Sequence, residues 1–190
     1  MHLVLASASP RRAELLTSAG FSFEIAPADV DETPRSGEMP AAYALRVARD
    51  KATATAAARG TAGTIVLAAD TVVVADGRIL GKPADRADAE RMLKTLSGAV
   101  HDVLTAVVLR QDGREVSDVV TTRVRVVPLR DDEIAWYVAS GEPEGKAGAY
   151  AIQGRAARFI DRIEGSWSNV VGLPISTVHQ LIKELEGTLS

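Results

Sequence analysis

The sequence predicts an α/β fold: a mixed sheet with long antiparallel hairpins. Two observations carry that prediction. Short apolar runs of strand character alternate with stretches whose apolar residues recur at helical spacing. Two of the junctions between strands are Asp-Gly pairs, Asp76-Gly77 and Asp112-Gly113. Such pairs tolerate positive φ at both turn positions and signal two-residue hairpins. Hairpins argue against a wholly parallel, doubly wound sheet.

The elements follow in chain order. Leu3 to Ala6 is a short apolar strand, after which Ser9 reads as an N-cap with Pro10 at the first helical position. That helix turns Ala13, Leu15, Leu16 and Ala19 inward and stops at Gly20, a natural residue past a helix end. Phe21 to Ile25 is a second short strand, and Pro27 to Pro40 a loop crowded with Asp29, Asp31, Glu32 and Glu38. An alanine-rich helix runs from about Ala41 to Arg59, with Ala44, Val47, Ala48, Lys51 and Ala52 on one stripe, and ends at Gly60 and Gly63. Thr64 to Val74 is the most apolar stretch, interrupted once by Asp70-Thr71. Beyond the first Asp-Gly turn lie a strand from Arg78 to Leu80 and a helix from about Arg86 to Leu96, closed by Gly98. Val100 to Arg110 and Glu115 to Val127 are long strands; Arg123 and Arg125 alternate with Val124 and Val126, as one wet sheet face requires. Asp131 to Ala139 is a helix with acids in its first turn, Arg158 to Ile163 a strand, and Ile175 to Leu185 a closing amphipathic helix. Repeats and linker-like tracts are absent, so residues 1–190 read as a single domain.

Composition bounds the chemistry. The chain has 190 residues, 46% of them hydrophobic. Surface scaling at that size buries about 70% of the unfolded area, so a core forms without staples. With no cysteine, a disulfide framework, Cys-ligated zinc and thiolate catalysis are all excluded. A net charge of −3 argues against coating nucleic acid by charge alone. No apolar stretch approaches the roughly 20 residues of a membrane span. Arg11 and Arg12 follow the first apolar run instead of preceding it, unlike an export signal. The expectation is a cytoplasmic protein with no membrane partner.

Six places concentrate residues with chemical potential. Ser7-Ala8-Ser9-Pro10-Arg11-Arg12 stands where a strand gives way to a helix. Amides, two hydroxyls and two guanidiniums there suit a phosphate, although a plain helix cap with solvated arginines accounts for them equally. Asp70 interrupts an apolar run, where an unpartnered carboxylate costs several kcal/mol or shifts its pKa upward. A base or metal ligand at a strand terminus explains it better than a capping role. Glu32, from the acidic loop, is a solvated acid by itself, but with Asp70 it can hold Mg²⁺ beside phosphate oxygens. Lys51 on an Ala/Val stripe either snorkels outward or points its charge into a cleft. Gly81-Lys82-Pro83 fails as a P-loop in both spacing and final residue, yet Lys82 can touch phosphate alone. Gln153, among small residues, offers a donor and an acceptor to a base edge or to backbone. His2, His101 and His179 lack metal-ligand spacing, and Trp136 in a helix with Trp167 in a loop makes no stacking platform.

Taken in order, Ser7-x-Ser9-Pro10-Arg11-Arg12, Ala69-Asp70-Thr71, Gly81-Lys82-Pro83, Ala151-Ile152-Gln153-Gly154 and Ser168-Asn169-Val170-Val171-Gly172-Leu173-Pro174 resemble the Maf family across essentially the whole chain. The resemblance implies an inosine-triphosphatase-like (Maf/Ham1) fold with a cleft between two lobes. It further implies a nucleoside triphosphate pyrophosphatase that needs a divalent metal, Mg or Mn, and forms a homodimer. On that resemblance Asp70 is the proton acceptor, and Arg12, Thr71 and Gln153 are specificity positions of the branch acting on dTTP and UTP. Ser7, Ser9, Arg11, Lys51 and Lys82 then meet the triphosphate, and Asp70 with Glu32 the metal. The rival expectations are a house-cleaning pyrophosphatase for non-canonical nucleotides and a non-enzymatic regulator of septation.

Overall fold

The computed structural model describes residues 2–59 and 62–187. Seven strands form one mixed sheet: β1 (His2–Leu5), β2 (Glu24–Ile25), β3 (Thr64–Ala75), β4 (Arg78–Leu80), β5 (Val100–Gln111), β6 (Arg114–Val126) and β7 (Ile160–Glu164). Their order is β2-β1-β3-β5-β6-β7, with β4 paired to β3. β1 runs parallel to β2 and β3, whereas β4 is antiparallel to β3 and β7 to β6. The predicted α/β class and mixed sheet therefore hold. Both Asp-Gly turns are present, with φ of 49° and 71° at Asp76-Gly77 and 49° and 80° at Asp112-Gly113.

The chain divides into two compact units. The first comprises residues 1–70, 105–120 and 172–190. It contains α1 (Pro10–Ser18), α2 (Pro40–Arg59) and α6 (Ile175–Leu185). Side chains alternate across β1 and β3. Leu3, Leu5, Ile65, Leu67 and Ala69 enter an apolar cluster with Leu16 of α1 and Val178, Leu181, Ile182 and Leu185 of α6. The intervening residues Val4, Val66, Ala68 and Asp70 consequently face the other way, the side on which Lys51 of α2 meets Asp70. α1 ends in a Schellman motif: Gly20 at φ 80° lets its N–H reach Thr17 O at 3.0 Å, while Phe21 N–H reaches Leu16 O at 3.0 Å.

The second unit comprises residues 71–104 and 121–171. It contains α3 (Arg86–Leu96), α4 (Asp131–Ala139), the short α5 (Trp167–Val171) and two 3₁₀ segments, Ala147–Ala149 and Arg155–Phe159. The Asp85 carboxylate caps α3 by accepting from Asp88 N–H at 2.8 Å. Gly148, at φ 68°, lies against Val73 so closely that a Cβ would come within 2.9 Å of it. Only glycine fits there.

Several local expectations need correction. Ala19 is exposed, and Ser9 occupies the N-cap of α1 without a side-chain cap bond. The strand expected from Arg158 begins at Ile160, because residues 155–159 coil into a 3₁₀ turn first. Trp167 opens α5 rather than sitting in a loop. Asp70 lies inside β3, five residues before its end, not at a strand terminus. Gly60, expected to end α2, falls outside the described residues.

Candidate active site

The first unit gathers Ser7, Arg12, Glu32, Lys51 and Asp70. Their positions follow from the elements that carry them. β1 ends at Leu5, and Ser7 is buried in the turn before α1. Its hydroxyl oxygen accepts from the Ser9 N–H at 3.2 Å and from Arg12 Nη1 at 3.1 Å. Arg12, one turn into α1, donates from Nε to the Gly172 carbonyl at 2.8 Å, so its guanidinium is held from two sides.

α2 presents Tyr43, Val47, Lys51 and Thr55 at four-residue intervals, and all four are buried. The polar members of this stripe organise the acidic loop. Thr55 donates its hydroxyl to the Ala26 carbonyl at 3.2 Å, and Tyr43 donates to the Glu32 carbonyl at 2.7 Å. Arg46 adds a fork onto Glu38, at 2.7 and 2.9 Å, and reaches Thr33 O at 3.0 Å. The loop is thus pinned at both ends, with Glu32 directed at the helix.

Lys51 Nζ stands between two carboxylates, 2.7 Å from Glu32 Oε1 and 2.8 Å from Asp70 Oδ1. Asp70 is only 8% exposed. Burial is the largest influence on it and pushes its carboxyl above the usual range; Lys51 and, farther off, Arg12 oppose that rise. Burial likewise draws the Arg12 guanidinium below its ordinary value, against the pull of Asp70. Burial, with the charges of Asp70 and Glu32, pushes the Tyr43 hydroxyl up to about 12, so it stays a donor.

Chemically, a hydroxyl and a guanidinium, groups suited to an anion, stand beside two carboxylates focused on the Lys51 ammonium. Among the described residues no group of three or more His, Cys, Asp or Glu side chains converges as a metal site. Two hard oxygen donors on one point charge nonetheless suit Mg²⁺ or Mn²⁺, which takes few protein carboxylates and fills its sphere with phosphate oxygens and water. Glu32 and Asp70, the two carboxylates that face Lys51, are the residues that would hold such a cation.

Ser9 and Arg11 share the Ser7–Arg12 segment. Arg11 is half-buried next to Arg12, and Ser9 contributes its backbone N–H, not its hydroxyl, to the Ser7 turn. Thr71, Lys82 and Gln153 belong to the second unit. Thr71 is half-buried in β3, Lys82 exposed after β4, and Gln153 exposed in a turn. Sequence reasoning passed over Tyr43, Thr55 and the Gly172 carbonyl. The four-residue stripe from Tyr43 to Thr55 is visible in the sequence and could have identified the first two; nothing local marks the third. No described helix is long and apolar enough to cross a membrane.

The chain is similar to known proteins over most of its length. The chain is 54% identical over 178 residues, 93% of its own length and 92% of the relative's, to the dTTP/UTP pyrophosphatase of Geobacter metallireducens. It is 53% identical over 185 residues to the dTTP/UTP pyrophosphatase of Anaeromyxobacter dehalogenans, covering 95% of this chain and 92% of that one. Among solved structures it is similar to the Ham1 protein of Staphylococcus aureus, at a TM-score of 0.48 and 16% identity over 66% of this chain and 72% of that one. The model of the Maf-like proteins matches residues 2–185, and the chain belongs to that family.

Proposed function

We propose that this protein is a hydrolase of acid anhydrides, a nucleoside triphosphate pyrophosphatase that splits dTTP and UTP into the nucleoside monophosphate and pyrophosphate. The names of relatives matched over nine-tenths of both chains support the activity. The observation that carries the reading is the Glu32–Lys51–Asp70 cluster beside Ser7 and Arg12. It supplies a buried carboxylate of raised pKa next to donors for a phosphate.

In this reading Ser7, Ser9, Arg11, Arg12, Lys51 and Lys82 neutralise and orient the triphosphate. Asp70 and Glu32 hold the divalent cation, Mg²⁺ or Mn²⁺. When bound, that cation supplies charge neutralisation at the phosphate oxygens and acidifies water. Asp70 accepts the proton of the attacking water. The water oxygen bonds to the α-phosphorus as the bond to the α–β bridging oxygen breaks, and pyrophosphate leaves. A carboxylate whose pKa is raised by burial is the stronger base for that transfer. Lys51 balances the charge of both carboxylates and donates to a phosphate oxygen. Arg12, Thr71 and Gln153 set nucleotide preference. The whole chain, residues 1–190, acts as one catalytic module in the cytoplasm, as a homodimer.

The test is a panel of dTTP, UTP, the other common triphosphates and ITP, assayed with and without Mg²⁺ or Mn²⁺, with both products identified. Metal-dependent release of pyrophosphate, fastest from dTTP and UTP, is expected. Preference for ITP would overturn the specificity. Release of orthophosphate instead would overturn the bond assigned, and no turnover at all would overturn the enzyme.

A further inference from the structure

We propose that Glu142 and Tyr137 are positioning residues that set nucleotide preference by clamping both ends of the turn carrying Gln153. The inference rests on the reading of Gln153 as a specificity position.

The turn runs from Ala151 to Gly154 and is closed by Gly154 N–H to Ala151 O at 3.0 Å. Its first two residues, Ala151 and Ile152, are buried, and Gln153 projects to solvent between them and Gly154. Burial anchors Ala151 and Ile152 and one backbone bond closes the turn, but neither fixes the chain on the far side of the exposed Gln153. Here a linked pair of side chains supplies the rest. At the entry, the Tyr137 hydroxyl oxygen accepts from Ala151 N–H at 3.1 Å. At the exit, the Glu142 carboxylate accepts from Arg155 N–H at 3.0 Å and from Ala156 N–H at 3.3 Å. The two clamps are joined, because Tyr137 donates its proton to Glu142 Oε1 at 2.8 Å.

The clamp is itself held. Tyr137 is fully buried on α4 and meets Phe159 edge-on at 5.8 Å between ring centroids. Glu142 N–H donates to Ser140 Oγ at 3.2 Å, just past the helix end. The carboxylate lies flush against the turn, where a Cβ on Gly154 would stand 2.5 Å from both its oxygens. A carboxylate accepting three bonds and a phenol passing its proton along form a fully satisfied network, the condition under which such a network specifies one geometry. Glutamine at 142 has the same shape but only one acceptor oxygen, so it must face at least one of these donors with its own N–H.

The experiment compares Glu142→Gln and Tyr137→Phe, each alone and combined with Gln153→Ala. Values of kcat and KM are measured for dTTP, UTP, dATP and dGTP at saturating Mg²⁺. Each single variant should lower the ratio of kcat/KM for dTTP over dATP about tenfold, mainly through KM, with kcat within about threefold. Neither should lower that ratio further once Gln153 is alanine. A role confined to holding the fold would scale kcat/KM for all four nucleotides by one factor and leave the ratio unmoved; that result overturns the proposal. Tyr137→Phe keeps the buried ring and its contact with Phe159, so it decides the matter if Glu142→Gln folds poorly. If Gln153→Ala itself leaves the ratio unchanged, the specificity reading fails and the inference with it. If Gln153→Ala collapses the ratio while both clamp variants preserve it, the inference alone fails.

Discussion

Replacing Asp70 with asparagine should separate what the fold needs from what the chemistry needs. The carboxylate is 8% exposed, and burial is the largest influence on its ionisation, so its charge is held at some expense to stability. Deleting one member of a buried ion pair ordinarily costs about 3–5 kcal/mol, because the other charge is stranded. Lys51 would not be stranded here. It keeps Glu32 at 2.7 Å, and an asparagine oxygen can accept from it where Asp70 now does at 2.8 Å. The relief of a desolvated charge and the weakening of one ionic bond nearly offset each other. Asp70→Asn should therefore unfold in urea within about 1 kcal/mol of the parent. Turnover should fall about 10²–10⁴-fold, equivalent to roughly 3–5.5 kcal/mol of barrier, because the amide cannot take the proton of the attacking water. Pyrophosphate release under saturating nucleotide and Mg²⁺, paired with urea denaturation at pH 7.5, reads both quantities. A variant turning over within about tenfold of the parent would refute Asp70 as the base. A stability loss above about 3 kcal/mol would refute the account of the Lys51 pairing.

Two other predictions concern charge and the fold. His101 is buried, its Nε2 meets the Tyr150 hydroxyl at 2.8 Å, and its Nδ1 has no hydrogen-bond partner. Burial pulls its pKa from 6.5 to about 4. Neutral in both states above pH 6.5, the ring binds a proton only in the unfolded chain as pH falls from 6.5 toward 4. His101 should thus remove about 3 kcal/mol of stability across that window. A histidine NMR titration should find the ring neutral at pH 5.5, and half-protonation at pH 6.5 would contradict the burial argument. Lys51→Met removes the ammonium that Glu32 and Asp70 both face. It should cost about 3–5 kcal/mol in thermal or urea unfolding at pH 8. The loss should shrink as pH falls and Asp70 protonates, and again on adding millimolar Mg²⁺. A loss below about 1 kcal/mol that Mg²⁺ does not alter would count against a cation site there.

How far the sequence carries the reading depends on the range of the interaction concerned. Helix limits set by local rules were legible: Pro10 at the start of α1, Gly20 beyond its end, and both bounds of α3, where Asp85 caps and Gly98 follows. The Asp-Gly hairpins were equally plain, because positive φ is a property of the residues themselves. The strand expected from Arg158 was misplaced because a distant carboxylate, Glu142, caps the preceding N–H groups and favours a 3₁₀ turn. No window along the chain contains that information.

The site divides in the same way. Sequence alone determined that Asp70 is a carboxylate misplaced in an apolar run, that Lys51 lies on the buried stripe of its helix, and that the Ser7–Arg12 segment joins a strand to a helix. These follow from periodicity and from the cost of burying charge. Tertiary structure alone decided that Lys51 pairs with Glu32 and Asp70 together, 19 residues from each, and that Arg12 reaches the Gly172 carbonyl 160 residues away. Burial can be inferred from a pattern of side chains. The partner of a buried charge depends on which backbone segments the sheet order and the helix stripes bring within about 3 Å, and that is settled only when the chain has folded.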